Sequence, residues 1–174
     1  MQILFVRSDK IGSKFIRWGF DEPASHVAIS FNSGRVFHSY GVGIMEQDAF
    51  MFAHTYTAAG TITLQADSDD DLEEKFRALL QPKSLYDYPA LLYFGWRVFL
   101  FKFFGQKMPK INRWNQAEKF LCTEVSYILC TVLAEKGVVL LPANTDIAMI
   151  SPWQLFLEME KKIVIHQLPF RVDY

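Results

Sequence analysis

The chain has 174 residues, of which 51% are hydrophobic and 21% charged, a composition that predicts one folded domain over residues 1–174 and excludes a disordered segment. Its net charge of −1 provides no bulk attraction to nucleic acid or to an anionic membrane. Two cysteines in a chain of this length do not make a disulfide framework.

The opening residues predict a strand followed by a short amphipathic segment. Residues 2–7 are mostly apolar, but Arg7, Asp9 and Lys10 interrupt the run too early for a secretory signal peptide. We therefore expect a cytoplasmic protein by default, with export by a phage or secretion route left open. Residues 12–21 then mix apolar and basic side chains in an amphipathic pattern.

Two strands are predicted next, over residues 26–31 and 35–40, joined by a turn at the Asn-Ser-Gly sequence of residues 32–34. Successive side chains of a strand point to opposite faces of its sheet. His26 and His38 lie twelve residues apart on these neighbouring strands. The spacing allows the two imidazoles to lie side by side.

The middle of the chain continues with a turn, a strand and a helix. Gly41 and Gly43 indicate a turn or bulge, and residues 61–66 have the composition of a strand. The acidic run at residues 69–71 suits a helix N-terminus, and Pro82 is expected to end that helix.

A second helix is predicted from Pro89 to about Phe104. Residues 91–104 are rich in aromatic side chains, but a membrane span needs about 20 apolar residues, and Arg97 and Lys102 interrupt this stretch. We expect a buried or groove-lining helix, with contact between residues 91–104 and lipid as the alternative.

The last part of the chain predicts two helices and a strand. A helix that contains the cysteines has an apolar stripe and ends at Gly137. Ser151 and Pro152 suit the cap and first turn of another helix. Residues 164–168 are predicted to form a final strand. Because strands and helices fall in segregated groups, the expected fold class is α+β.

Cys122 is the candidate nucleophile. Polar Thr123 and Glu124 follow it, and a thiol at a helix N-terminus has its thiolate stabilised by unpaired N–H groups. This interpretation requires the helix to begin near Leu121, whereas a capping-box pattern at residues 115–118 favours an earlier start. A structural, buried cysteine is the alternative.

The histidines supply the other groups that a cysteine nucleophile needs. His26 can act as a base toward the thiol while His38 orients its ring, whereas His54 and His166 have no such geometry. Cys130 lies on the apolar side of its helix and is expected in the core. Without an HExxH or CxxC motif we expect no metal and no cofactor.

Five segments resemble one known family. They are ILFV at residues 3–6, SHVAI at 25–29, YDY at 86–88, LCTEV at 121–125 and SPWQL at 151–155. In their order and spacing they resemble the permuted branch of the NlpC/P60 superfamily. This papain-like group includes YiiX-type bacterial proteins and, more distantly, the lecithin retinol acyltransferases.

The resemblance implies a permuted papain-like fold, in which a small antiparallel barrel or sheet packs against helices and histidine precedes cysteine. It implies Cys122 as nucleophile, His26 as general base and His38 in the orienting position. Many members have a carboxylate at this third position. Tyr86 and Thr123 are weaker candidates for substrate binding.

The expected function is therefore a cysteine hydrolase that forms a thioester acyl-enzyme. Its substrate would be a small cell-wall peptide amide or a lipid-like acyl group, and transfer to a second acceptor stays open. The alternative is a non-catalytic module of the same fold that binds lipid or a partner. An activated Cys122 is expected to alkylate near pH 6, below the usual thiol pKa of about 8.5. No nucleic-acid partner is expected, and the oligomeric state is left open.

Overall fold

The computed structural model describes residues 1–41, 43–64, 70–80, 85–109, 111, 113, 119–141, 147–166, 168 and 170–174, without the side chains of residues 70, 85, 86, 119, 120 and 148. In these parts of the chain the strands are β1 Gln2–Arg7, β2 His26–Ser30, β3 Arg35–Tyr40, β4 Gly43–Asp48, β5 Thr57–Leu64, β6 Leu85–Tyr86, β7 Lys119–Phe120 and β8 Phe170–Asp173. The helices are α1 Ile11–Phe20, α2 Ala49–Thr55, α3 Asp70–Leu79, α4 Tyr88–Phe104, α5 Cys122–Glu135 and α6 Pro152–His166, with a 3-10 turn at Ile147–Met149.

The main sheet is antiparallel and has the strand order β4-β3-β2-β1-β5-β8. β1 lies in its middle, and its register against β2 pairs Val6 with His26. The short strands β6 and β7 form a separate parallel pair. The predicted α+β class is confirmed.

The two faces of the sheet carry different layers. α3, α5 and α6 cover one face with the larger core, to which β1 and β2 contribute Ile3, Phe5, Val27 and Ile29. α2 covers the other face, where the smaller cluster is Val6, Ala28, Val36, Phe52 and Tyr56. Because His26 alternates with Val27, and His38 with Phe37, both histidines lie on the α2 face.

α5 begins at Cys122, as the chemistry of a helix-terminal thiol requires. The carboxylate of Glu124 accepts a hydrogen bond from the N–H of Leu121 at 2.6 Å and so fixes the first turn. The helix ends at Glu135, and Gly137 follows in the left-handed conformation with φ of 81°. The predicted start near Leu121 is confirmed; the competing pattern at residues 115–118 lies outside the described residues.

The predicted final strand over residues 164–168 is wrong. α6 continues to His166, and its buried side chains Leu155, Phe156, Met159 and Ile163 recur at helical spacing, while Val164 and Ile165 are exposed. The hydroxyl of Ser151 accepts a hydrogen bond from the N–H of Gln154 at 3.1 Å, which confirms the predicted cap. The last strand is β8, which pairs with β5.

Several elements were not predicted. β4 begins at Gly43, where only a turn or bulge was expected, and α2 follows directly at Ala49. The short strands β6 and β7 and the last strand, β8, were not predicted either. β5 begins at Thr57, four residues before the predicted strand, whose last two residues lie outside the described ones. The predicted helices α1, α3 and α4 are confirmed, although the proposed stop at Pro82 is not described. Among the described residues, no helix combines the length and hydrophobicity needed to cross a membrane.

Candidate active site

The first turn of α5 places the Cys122 thiol beside the start of β2. The backbone N–H of Val27, the residue after His26, donates a hydrogen bond to this thiol. The N–H groups of Thr123 and of Cys122 itself also face the sulfur. The thiol therefore lies at an unsatisfied helix N-terminus and next to the histidine strand.

The two histidines contact each other directly. His26 Nε2 and His38 Nδ1 lie 3.0 Å apart, and the two rings are nearly perpendicular at 88°. Both are buried, with 9% and 1% of their surface exposed. Tyr56 stacks on the His26 ring at 5.2 Å, and the His38 ring packs at 5.2 Å from Phe52. α2 and the residue after it thus hold the imidazole pair in place.

Gln47 on β4 determines the proton positions of this pair. His38 Nε2 lies 3.5 Å from Gln47 Oε1, and an amide oxygen can only accept a hydrogen bond. His38 therefore carries its proton on Nε2 and accepts at Nδ1. His26 Nε2 must then be the donor in the 3.0 Å contact, which leaves His26 Nδ1 unprotonated. An unprotonated nitrogen is what a general base requires.

Burial keeps the reacting groups neutral in the resting chain. It lowers the pKa of His26 from 6.5 to about 3, helped by the neighbouring His38 and by the Lys10 cation. It also lowers the pKa of His38 to about 4, although the hydrogen bond to Gln47 opposes the shift and Lys10 adds to it. Burial raises the pKa of the Cys122 thiol to about 11, against the stabilising N–H groups around the sulfur.

These pKa shifts run in the opposite direction to the one expected from the sequence. Reaction of Cys122 near pH 6 requires a thiolate at that pH, and the helix N-terminus alone favours one. At this site desolvation raises the pKa of the Cys122 thiol by more than the N–H groups of the helix N-terminus lower it. The resting pair is therefore a thiol and a neutral imidazole, and proton transfer has to accompany attack on a substrate.

A cavity of about 260 Å³ opens onto these groups. Cys122 and His26 both line it, so the thiol and this imidazole face the same cavity. Hydroxyl groups and one cation also line it: Ser8, Lys10, Ser13, Ser25, Tyr40 and Tyr56. Apolar side chains complete the lining, among them Ile16, Leu91, Phe94, Leu121 and Ile150. The cavity therefore offers both polar and apolar contacts to a bound molecule.

The two weaker candidates for substrate binding have different positions. Thr123 lines the cavity, but its buried hydroxyl donates to the carbonyl of Ile147 at 3.1 Å. Tyr86 lies in β6, and its side chain is outside the described residues. Its neighbour Tyr88 lines the cavity and donates to the carbonyl of Gly41 at 2.7 Å.

The remaining cysteine and histidines lie away from this site. Cys130 is buried in the main core, as predicted. His54 is exposed on α2 and His166 is the last residue of α6. In the described part of the chain, no three metal-ligating side chains come close enough together to hold an ion.

The sequence did not single out Gln47, Tyr56 or Lys10. Gln47 was missed because β4 was not predicted, and two glycines in three residues masked the alternation that follows them. Tyr56 is the single residue between α2 and β5, and only the sheet register brings it to His26. Lys10 immediately precedes α1, where its amine donates to the Tyr40 hydroxyl at 3.0 Å.

No family model, no curated protein and no solved structure matches this chain. The geometry of the site therefore carries the functional argument.

Proposed function

We propose that the protein is a cysteine acyl hydrolase that cleaves an amide or ester through Cys122, His26 and His38. The observation that carries the proposal is the 3.0 Å imidazole pair, of which His26 lines the same cavity as the Cys122 thiol at a helix N-terminus. A nucleophile, a base and a group that orients the base are the parts that this chemistry needs. The order of these residues, with histidine first, agrees with a permuted papain-like fold of the NlpC/P60 kind.

The first half-reaction forms a thioester. His26 Nδ1 takes the thiol proton as the sulfur attacks the substrate carbonyl carbon, and the carbonyl electron pair moves onto oxygen. The N–H groups at the start of α5 stabilise this oxyanion. When the carbon–oxygen double bond re-forms, the bond to the leaving amine or alcohol breaks, and His26 returns the proton to that group.

The second half-reaction releases the acid. Water attacks the thioester carbonyl while His26 takes its proton, and the carbon–sulfur bond breaks to regenerate the thiol. His38 keeps His26 in the reactive tautomer throughout, because its Nδ1 accepts the His26 Nε2 proton. A second alcohol or amine in place of water would make the protein an acyltransferase.

The substrate classes left open are a peptide amide and a lipid-like acyl group. The apolar side chains of the cavity lining, which include Ile16, Leu91 and Phe94, suit an acyl chain or an apolar side chain. The hydroxyl groups of the lining, together with Lys10, suit a polar or anionic group of the same molecule. Both features favour an acyl substrate over a wholly polar peptide.

Acyl-enzyme formation tests the proposal. The chain is incubated with p-nitrophenyl esters of increasing acyl length and with a peptide p-nitroanilide, quenched in acid and weighed by mass spectrometry. We expect one acyl adduct on Cys122 and release of p-nitrophenol or p-nitroaniline. Cys122→Ala should abolish both, whereas Cys130→Ala, which changes only the core cysteine, should retain them.

Two results would contradict the proposal. One is an adduct that appears equally in Cys122→Ala, which would show that acylation is nonspecific. The other is a folded native chain that forms no adduct with any ester or amide while a ligand still binds in the cavity. That second result would favour the non-catalytic module that binds lipid or a partner.

A further inference from the structure

α4 is apolar on the side that faces solvent as well as on the side that faces the protein. Ala90, Phe94 and Val98 are buried against the molecule. On the other side Leu92 and Trp96 are exposed by 66% and 55%. A helix that is hydrophobic all round is normally enclosed by protein or lipid, so the exposed side of α4 requires a partner.

Aromatic side chains of α1 and α4 join into one exposed surface. The rings of Phe15 and Trp18 on α1 lie 5.9 Å apart, and Trp18 contacts Phe103 of α4 at 6.0 Å. Phe103 and Trp96 both pack on Phe99, at 4.8 and 5.7 Å. A further ring, that of Phe104, lies 6.0 Å from Phe99. We call this set the aromatic surface: Phe15, Trp18, Trp96, Phe99, Phe103 and Phe104, which are 36% to 67% exposed.

The charges on the same two helices are all positive. α1 carries Lys14 and Arg17, α4 carries Arg97 and Lys102, and neither helix contains an aspartate or glutamate. Acids lie at the ends of these helices in the sequence, with Asp21 and Glu22 after α1 and Asp87 before α4. The amine of Lys102 lies 5.7 Å from the Trp18 ring, which places positive charge directly beside the aromatic surface.

The aromatic surface adjoins the helix segments that line the cavity. Ile16, between Phe15 and Trp18 in the sequence, lines the cavity, as do Leu91 and Phe94 of α4. The two helices that carry the aromatic surface therefore also contribute residues to the cavity lining.

We propose that the aromatic surface docks the protein onto a membrane that contains anionic lipids. Aromatic rings, tryptophan above all, bind at the level of the lipid headgroups, and lysine and arginine beside them attract anionic headgroups. α1 and α4 present both components together, because the exposed Lys14 and Lys102 lie on the same two helices as the rings. The helices would lie in the plane of the interface.

Vesicle co-sedimentation tests this proposal. The full chain is mixed with vesicles of phosphatidylcholine alone, or with vesicles in which phosphatidylglycerol replaces part of it, at low and at raised ionic strength. We expect tighter binding to the phosphatidylglycerol vesicles by about tenfold or more, and a loss of this preference as salt is raised. Trp18→Ser/Trp96→Ser/Phe103→Ser should lose binding to both kinds of vesicle.

Matched variants distinguish vesicle binding through the aromatic surface from binding through any exposed hydrophobic side chain. Phe50→Ser/Met51→Ser/Ile165→Ser removes three side chains of similar exposure from α2 and α6 and should bind as the native chain does. Lys14→Glu/Lys102→Glu keeps every ring and should lose the preference for phosphatidylglycerol. This second variant tests the proposal even if the triple serine variant does not fold.

Three outcomes would overturn the proposal. They are no binding to either vesicle, undiminished binding by the aromatic triple variant, and self-association of the native chain that this variant abolishes in the absence of vesicle binding. The proposal does not rest on the hydrolase chemistry. Cys122→Ala should bind vesicles as the native chain does, so a failure of docking and a failure of catalysis are distinguishable.

Discussion

At the residue scale, the reactivity of this site depends on which atoms of the histidines carry protons. His26 can accept a proton from the thiol only if its Nδ1 is free, and that state follows from the contact with His38. Gln47 in turn favours the acceptor state of His38 Nδ1. Three side chains from three adjacent strands thus determine one tautomer.

Replacing Gln47 should remove the preference for one His26 tautomer without changing the position of Cys122. In Gln47→Leu we expect a mixture of His26 tautomers and a fall in kcat of about tenfold, close to the contribution of one hydrogen bond. KM should change little, because Gln47 is not among the residues that line the cavity. Nitrogen-15 NMR of the imidazoles at neutral pH measures the tautomers directly.

The conservative replacement gives the control. Gln47→Glu keeps an acceptor oxygen and should retain the native tautomers, while its negative charge should raise the pKa of His38. A single native-like His26 tautomer in Gln47→Leu would show that Gln47 has no part in positioning the pair.

At the scale of elements, α1 and α4, which both contribute residues to the cavity lining, pack very closely. Gly19 on α1 faces Val98 on α4, and a Cβ atom added at Gly19 would lie 2.5 Å from Val98 Cγ1. Valine is stiff and this one is buried, so it cannot move aside easily. A glycine inside a helix normally costs stability, and here it permits close packing.

We therefore expect Gly19→Ala to destabilise the fold by about 1–3 kcal/mol, as overpacking does. Gly12→Ala, in the same helix but with no neighbour within 4 Å, should instead be neutral or stabilise by about 0.5–1 kcal/mol. Urea unfolding of both variants measures the difference. Val98→Ala combined with Gly19→Ala should recover part of the loss; equal stability of the two single variants would contradict this account of the α1–α4 contact.

At the scale of the whole molecule, burying two neutral imidazoles makes stability depend on pH. The pKa of His26 is about 3 and that of His38 about 4 in the folded chain, against 6.5 when exposed. Between these values the unfolded chain binds more protons than the folded one. The stability that depends on the neutral state of the two histidines is therefore fully present above about pH 6.5. It is lost as the pH falls toward 4 and 3.

Unfolding in urea between pH 8 and pH 4.5 tests this dependence. We expect a constant free energy of unfolding above pH 7 and a decline below 6.5 of about 1.4 kcal/mol per pH unit for each histidine. His38→Gln should reduce the slope by the contribution of one proton, while His54→Gln, at an exposed histidine outside the pair, is the matched control. A native stability that stays constant down to pH 5 would contradict the neutral, buried pair.

The sequence by itself determined the local features whose signals lie within a few neighbouring residues. The strands that carry the histidines, the cap at Ser151 and the core position of Cys130 follow from periodicity, capping and polarity. The start of α5 near Leu121 was inferred from the chemistry that a helix-terminal thiol needs, against a capping pattern at residues 115–118. The strand prediction at residues 164–168 was wrong because a short apolar run is compatible with a strand or with the end of a helix. In the structure the helix continues to His166, with Ile163 of its last turns buried in the core.

Only the tertiary structure decided what these local features do together. Gln47 and Tyr56 join the site through sheet register and through α2, which are non-local contacts that no short pattern encodes. The neutral state of Cys122 and the histidines comes from burial by distant segments, and burial reversed the pKa direction that the helix terminus alone predicts. The aromatic surface likewise arises because packing buries one side of α4 and leaves the other beside α1 in solvent.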